Sequence, residues 1–317
     1  MHAIRLHEFG PAENLRWEEV DDPVPGAGEV LIDVAAAGVH LVDTSIRRGE
    51  AMGPFPRPTL PAIPGREVAG TVAAAGEGVD PAWAGRRVVA HLGMASGGYA
   101  ERVVTAAERL HALPDGLSEA AAVAMIGTGR TALGVLDVAA PTAEDVVVVT
   151  GAAGGLGALL VQGARNVGAR VIGAAGGERK TAQVRALGAE PADYLRADWT
   201  EGLPRATLVL DGVGGTAGRA ALELLEPGGR IVIFGWSSGE PTRLDTSDLV
   251  ERSLTAIAGL GPHIQGRLRE LEERALAAAA AGELVPVVDD HFRLAQAAEA
   301  HAALEARDTV GKVVLVR

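Results

Sequence analysis

Val146-Val-Val-Val-Thr-Gly-Ala-Ala-Gly-Gly-Leu-Gly157 joins four consecutive valines to a glycine-rich turn, and the helix-compatible run Ala158 to Val167 follows. A short β-branched run of this kind suits a strand buried on both faces. Strand, glycine turn and helix together form the context of a dinucleotide-binding site. A diphosphate must come close to the backbone, which a Cβ would obstruct, while the free N–H groups and positive dipole end of the helix attract its charge. Gly154 and Gly157 hold the last two places of a G-x-G-x-x-G pattern, and Ala152 replaces the first glycine. Three glycines also make ordinary tight turns. The functional reading gains support from Arg170-Val-Ile-Gly-Ala, a second strand at the distance a βαβ unit requires.

Outward from this stretch, the chain of 317 residues exceeds what a single core usually spans, so two domains are expected. Aromatic residues make up 3%, which leaves Ala, Val and Leu to build the cores and few platforms on which bases could stack. A net charge of −12 repels phosphate backbones, and nucleic acid is excluded as a partner. With no cysteine, disulfides, thiolate catalysis and cysteine-based zinc sites are excluded. The N-terminus carries no apolar signal segment and no later stretch is expected to span a bilayer, so the expected partner is a small molecule and the expected location cytoplasmic.

The first third reads as short β segments between Gly and Pro. In Glu29-Val-Leu-Ile-Asp-Val-Ala, Val30, Ile32 and Val34 share one face; Val68-Ala-Gly-Thr-Val and Arg86-Arg-Val-Val-Ala are similar, and Leu41 to Arg48 suits a short helix. Pro54, Pro56, Pro58, Pro61 and Pro64 mark an irregular loop. Ser118, placed as a helix N-cap, opens a region that alternates helices with strands at Val146–Thr150, Val171–Ala174, Thr207–Leu210, Arg230–Phe234 and Leu254–Ala258. A parallel sheet covered by helices is the consequence. Beyond it, a long helix over Ile264 to Ala281, another over Ala295–Ala306 and a strand at Lys312–Val316 are expected, the last returning to the first domain.

Six collinear segments resemble the medium-chain dehydrogenase/reductase superfamily, and within it the zinc-independent quinone oxidoreductases. They are Ala36-Ala-Gly-Val-His-Leu-Val-Asp-Thr-Ser-Ile-Arg-Arg-Gly, Pro64-Gly-Arg-Glu-Val-Ala-Gly, Gly97-Gly-Tyr-Ala-Glu, Gly151-Ala-Ala-Gly-Gly-Leu-Gly, Asp211-Gly-Val-Gly-Gly and Gly311-Lys-Val-Val-Leu. The resemblance implies an α/β fold: a β-rich, chaperonin-10-like (GroES-like) catalytic domain and a Rossmann domain with a doubly wound parallel sheet. The expected divisions are 1–120 for the N-terminal part of the catalytic domain, 121–261 for the Rossmann domain and 262–317 for a segment returning to the catalytic domain.

In a dinucleotide fold, an acid at the end of the second strand usually accepts the ribose hydroxyls of NAD. Here that position is Ala175, with Arg179 and Lys180 close behind, a combination that favours a 2′-phosphate and hence NADP(H). The two cations could also be a solvated helix start. By resemblance, Lys180 and Tyr194 hold the phosphate, Ala153, Gly154, Gly155, Leu156 and Gly157 form the diphosphate turn, and Thr131, Gly214, Phe234 and Gly235 line the nicotinamide or diphosphate.

In zinc alcohol dehydrogenases the metal is held by a cysteine, a His-Glu pair and a second cysteine, and those places correspond to His40, Arg66-Glu67 and Gly127. Arginine does not bind zinc and glycine has no side chain, so no metal is expected. Hydride delivery to an electrophile that needs no Lewis acid remains the simplest chemistry. By resemblance, His40, Asp43 and Ser45 are the catalytic candidates. The quinone reductases resembled usually carry Asn at the place of His40 and often Tyr at that of Ser45. His40 could donate to a substrate oxygen or be a hydrogen-bonded structural histidine. Asp43 could cap its helix or pair with a cation such as Arg47, and Arg66 could pair with Glu67 or Asp43 or attract an anionic substrate. The leading expectation is an NADPH-dependent quinone reductase. An enoyl or 2-alkenal reductase and a non-catalytic NADPH-binding protein are the alternatives. The segment Leu254 to Leu260, at the expected edge of the Rossmann sheet, suggests a homodimer.

Overall fold

The computed structural model of the protein describes residues 1–50, 57–93 and 96–317. In chain order the elements are β1 (His2–Leu6), β2 (Leu15–Glu19), β3 (Glu29–Gly38), α1 (Leu41–Arg48), β4 (Glu67–Ala75), β5 (Arg87–His91), β6 (Arg102–Ala106), β7 (Leu110–Ala112), α2 (Glu119–Ala124), α3 (Arg130–Ala139), β8 (Val146–Thr150), α4 (Gly155–Asn166), β9 (Arg170–Ala175), α5 (Glu178–Ala186), β10 (Glu190–Asp193), β11 (Ala206–Asp211), α6 (Gly215–Leu224), β12 (Leu225–Ile233), α7 (Thr246–Glu251), β13 (Thr255–Ala258), α8 (Pro262–Gln265), α9 (Leu268–Ala280), β14 (Val288–Arg293), α10 (Ala297–Glu305) and β15 (Lys312–Val316). They fall into two compact units, Met1–Gly127 with Val287–Arg317, and Thr128–Pro286.

The first unit is built on a sheet of order β14-β15-β3-β4-β5-β7, with β6 pairing the first half of β3. Its long strand β3 buries Val30, Ile32 and Val34 against Val68, Val72, Val88 and Leu315, as the alternation requires. Strand β15 runs antiparallel to the second half of β3 with Val314 opposite Gly38, and β4 flanks β3 on the other side with Val68 opposite Ala37. Extending those registers sets Lys312 opposite His40 and Glu67 opposite Gly38. Helix α1 then begins at His40, whose backbone N–H donates to Asp43 Oδ2 at 2.8 Å, and stops at Gly49 in the left-handed conformation.

The second unit is a parallel sheet of order β10-β9-β8-β11-β12-β13. Val147, Val148 and Val149 of β8 are fully buried, which a central strand covered on both faces demands. The outermost strand β13 pairs only with β12, so its other edge is open among the described residues.

The units divide at 127/128 and 286/287 instead of at 120/121 and 261/262. The expected long helix over Ile264 to Ala281 is two helices, α8 and α9, and both belong to the second unit. Ile264 and Leu271 crowd against Gly134 of α3, an apolar contact that outweighs sequence proximity to the tail. Strands β1, β2, β6, β7, β10 and β14 add to those expected. The run Glu119–Ala139, 21 residues, is long and apolar enough by length and composition to cross a bilayer, contrary to expectation, yet more than half of its apolar window is buried within the protein. Ser118 Oγ accepts from the Ala121 N–H at 3.2 Å, the expected N-cap.

Candidate active site

At the end of β8 the chain turns through Gly151, whose φ of +64° suits glycine, and enters α4 with Gly154 as N-cap. A Cβ on Gly157 would overlap the Gly151 carbonyl and Ala152 Cα, so only glycine lets helix and strand approach this closely. A Cβ on Gly154 would have only the Gly151 carbonyl near it, at 3.3 Å, leaving the turn open on its other side. The first three N–H groups of α4, those of Gly155, Leu156 and Gly157, have no helix carbonyl one turn behind them, and their dipoles point into that opening; the Ala158 N–H is the first to bond back, to the Gly154 carbonyl at 2.9 Å. The turn fits a diphosphate.

A second loop shares this end of the sheet. Asp211, fully buried at the tip of β11, accepts from Thr150 Oγ1 at 2.6 Å, from the Val213 and Gly214 N–H groups at 3.0 and 3.2 Å, and from Thr242. These bonds fix Gly214, whose φ is +73° and whose Cβ would overlap the Glu240 carbonyl. The Phe234 N–H donates to the Asp211 carbonyl at 2.8 Å, with Gly235 following directly, so both are tied to the same carboxylate-centred knot.

At the end of β9, Asp193 of β10 lies opposite Ala175, and Tyr194 continues past the sheet. The Tyr194 ring stands 3.1 Å from where a Gly176 Cβ would be. Arg179 and Lys180 occupy the first turn of α5 just after this glycine pair, so the register of β10 sets the tyrosine beside the turn that carries both cations. Asp193 is an acid in the neighbourhood that the motif does not show. Its Oδ1 is taken by the Gly177 and Leu195 N–H groups at 2.9 and 3.1 Å, so it clamps the turn. Thr131 lies in the first turn of α3 and is half-buried.

In the first unit, three strands converge on a compact ionic group. Glu67 Oε2 is 2.8 Å from His40 Nε2 and 2.9 Å from Lys312 Nζ, and Lys312 Nζ is 2.9 Å from His40 Nε2. Glu67 is fully buried and Lys312 is 5% exposed, whereas His40 is half-buried. Room for the carboxylate comes from two missing side chains, since a Cβ on Gly38 or on Gly127 would overlap a Glu67 oxygen. Burial alone would raise the Glu67 carboxyl, but His40 and Lys312 outweigh it and hold it well below the usual carboxylate range.

Beside it lies a second buried group. Arg66 Nη2 donates to Asp43 Oδ1 at 2.8 Å, and Tyr99 Oη lies 3.4 Å from Asp43 Oδ2 and 3.2 Å from His301 Nε2. Burial raises the Asp43 carboxyl, yet the Arg66 guanidinium and His40 more than offset it, so Asp43 is ionised. Burial pushes Tyr99 well above its ordinary range and lowers His301 to about 4, so at neutrality both are uncharged.

Of the catalytic candidates, His40 and Asp43 meet at the start of α1, while Ser45 Oγ accepts from Arg48 Nη2 at 2.9 Å and belongs to the other end of the helix. Asp43 pairs with Arg66 in place of Arg47, which reaches Glu305 at 2.5 Å. The residues at the zinc-ligand places do not fit a metal. Arg66 is committed to Asp43, Gly127 offers nothing, an ammonium sits against both His40 and Glu67, and among the described residues no three His, Cys, Asp or Glu side chains group as ligands. Lys312, Tyr99, His301, Asp193 and Asp211 emerge only in three dimensions. Lys312 and Asp211 do stand in the motifs Gly311-Lys-Val-Val-Leu and Asp211-Gly-Val-Gly-Gly, and an ionisable residue inside a buried strand motif was the available signal. Of the irregular loop marked by Pro54 to Pro64, residues 54–56 lie outside the described residues.

The chain is similar to known proteins over its full length. The alcohol dehydrogenase GroES-like domain matches residues 26–115 and the zinc-binding dehydrogenase domain matches residues 187–315. A quinone oxidoreductase of Sus scrofa is 32% identical over 330 residues, covering 100% of this chain and 98% of that protein. A 2-haloacrylate reductase of Burkholderia is 31% identical, with 99% and 98% covered. The Escherichia coli quinone oxidoreductase solved in complex with NADPH superposes with a TM-score of 0.86 at 29% identity, covering 100% of both chains. With its GroES-like sheet, its Rossmann sheet and this full-length similarity, the chain belongs to the quinone oxidoreductase-like family of the medium-chain dehydrogenase/reductase superfamily.

Proposed function

We propose that the protein is a zinc-independent oxidoreductase that uses NADPH to reduce a quinone. The observation that carries this function is the Glu67–Lys312–His40 group. Where zinc-dependent relatives would polarise an alkoxide, this chain has a closed, nearly neutral ion cluster with one histidine half-exposed. An acceptor that takes hydride without a Lewis acid is what such a site can serve. When bound, NADPH supplies that hydride. The chain's own residues bind and orient it: Ala153 to Gly157 at the diphosphate, the Asp211-held loop with Gly214, Phe234 and Gly235 beside it, Thr131 at the start of α3, and Arg179, Lys180 and Tyr194 at the 2′-phosphate. Ala175, without a carboxylate, removes the repulsion that would oppose this phosphate. His40 offers its hydrogen to the acceptor oxygen, Asp43 fixes the start of the helix behind it, and Ser45 has a structural role at the helix end.

A conjugated alkene as acceptor has specific support in the similarity to the 2-haloacrylate reductase, whose substrate name denotes a C=C bond next to a carboxylate. We further propose that two copies join through the open edge of β13, which continues a parallel sheet and has no partner strand among the described residues. Oxidation of NADPH and NADH by the purified protein, with a naphthoquinone and a trans-2-enal as acceptors, tests the reaction. Faster quinone-dependent turnover with NADPH supports it; a better rate with the enal shifts the assignment to alkene reduction, and no turnover with either refutes both.

A further inference from the structure

The strand order of the second unit reverses between β8 and β11, with β9 and β10 on one side and β11 and β12 on the other. A dinucleotide crosses such a sheet at that point, past the carboxyl ends of the strands. The diphosphate turn follows β8, and Arg179 and Lys180 follow β9, which leaves the ends of β11 and β12 for the nicotinamide half. The chain beyond β12 has little apolar burial to hold it there. Trp236 to Pro241 all lie outside the core, and the Trp236 side chain is half exposed. Thr242 is buried, and its hydroxyl donates to the fully buried Asp211 carboxylate.

Three segments meet at Asp211. Thr150 Oγ1, directly before the diphosphate turn, donates to Oδ1 and accepts from the Gly212 N–H at 3.0 Å. The Val213 and Gly214 N–H groups also donate to Oδ1, while Oδ2 takes the Thr242 hydroxyl. Between these anchors the backbones are laced together. The Ser237 and Ser238 N–H groups donate to the Gly212 and Val213 carbonyls at 3.0 and 2.8 Å, and the Gly215 N–H donates to the Glu240 carbonyl at 2.8 Å. Space is kept for the far anchor, because a Cβ on Gly218 would overlap both Thr242 Oγ1 and Asp211 Oδ2. These donors are uncharged, and the positive end of α6, which starts just past Gly214, favours the carboxylate. We propose that Asp211 is a positioning residue for the nicotinamide half of NADPH. Through Thr242 it holds the 236–242 segment on the 212–215 loop, and through Thr150 it holds both against the diphosphate turn. The wall is then built before the cofactor arrives, and binding does not have to order it. This inference rests on the NADPH-dependent function above.

The test uses the full-length protein and needs no turnover. Thr242→Val keeps the shape of the side chain and removes the hydroxyl, and Thr242→Ser keeps the hydroxyl. Calorimetric titration compares NADPH with 2′-phospho-ADP-ribose, which has the same adenosine, 2′-phosphate and diphosphate but no nicotinamide. Amide exchange of the cofactor-free protein shows whether the seam has opened. In Thr242→Val the Gly215 and Ser238 amides should exchange faster while Val147 to Val149 keep their protection. NADPH affinity should fall roughly tenfold, the affinity for 2′-phospho-ADP-ribose should not change, and Thr242→Ser should restore both readouts. Asp211→Asn keeps one acceptor oxygen and sets an amide against Thr242; it is expected to act in the same direction and is read instead if Thr242→Val loses protection in β8. Equal weakening of both ligands with β8 intact, or unchanged NADPH affinity, would overturn the inference. A wild type that binds 2′-phospho-ADP-ribose as tightly as NADPH would overturn it too. A wild type that binds neither would refute the NADPH function itself, and the inference with it.

Discussion

His301 provides a direct measure of how the buried polar group beside the site is charged. It is fully buried on α10, with Nε2 3.2 Å from Tyr99 Oη and Nδ1 without a hydrogen-bond partner, and burial lowers it to about 4 although Asp43 pulls the other way. An unfolded histidine titrates near 6.5, so between the two values the folded state binds fewer protons than the unfolded state. Stability from this group is therefore complete above the unfolded value and is lost as pH falls toward 4. The loss comes to about 2 kcal/mol at pH 5 and about 3 kcal/mol by pH 4. His301→Gln keeps a polar side chain of similar reach and removes the titration. Opening free energies from exchange of the buried Val313 to Leu315 amides in β15, measured at pH 7.5 and pH 5, read the stability of this unit separately from the other. The wild type should lose about 2 kcal/mol more than His301→Gln over that interval. Equal losses in the two proteins would refute the neutral, buried assignment.

Other outcomes follow from the same geometry. Arg66→Met leaves the buried Asp43 carboxylate without its cation and should destabilise the protein by about 3–5 kcal/mol in chemical denaturation, with Asp43→Asn in the same chain recovering most of the loss. Replacing both Arg179 and Lys180 by Ala should raise KM for NADPH roughly 10- to 100-fold, the equivalent of about 1.5–3 kcal/mol of charge-assisted bonding, and leave KM for NADH unchanged in steady-state assays. Gly157→Ala forces a methyl group into the Gly151 carbonyl, so calorimetric titration should show NADPH affinity reduced tenfold or more. Ile257→Arg, on the open edge of β13, should convert a dimer to a monomer in sedimentation at micromolar concentration; an unchanged sedimentation coefficient would remove the edge-pairing proposal.

The parts of the fold legible in the sequence were those specified locally. Four valines and the following glycines are enough to define β8, its turn and α4, and the alternation of Val30, Ile32 and Val34 is enough for β3. Pro191 disguised β10, because proline in a strand is tolerated only at an edge, which is where β10 lies. The position of α9 in the second unit is not legible from its place in the chain, because its apolar face decides where it packs. The site was less legible for a related reason. The absence of an acid at Ala175 and the loss of zinc ligands are visible residue by residue, but the row of Lys312, His40 and Glu67 depends on the register of three strands. Likewise, Asp43 pairs with Arg66 and not Arg47 because Arg66, just before β4, arrives at hydrogen-bond distance, while the helix directs Arg47 toward Glu305.

Metal-free reduction of a quinone with NADPH is tested most directly by kcat/KM for NADPH and for NADH with a naphthoquinone, each in the presence and absence of a strong zinc chelator. The expected result is a preference for NADPH of tenfold or more that the chelator does not alter. A preference for NADH, or activity that the chelator abolishes and added zinc restores, would contradict it.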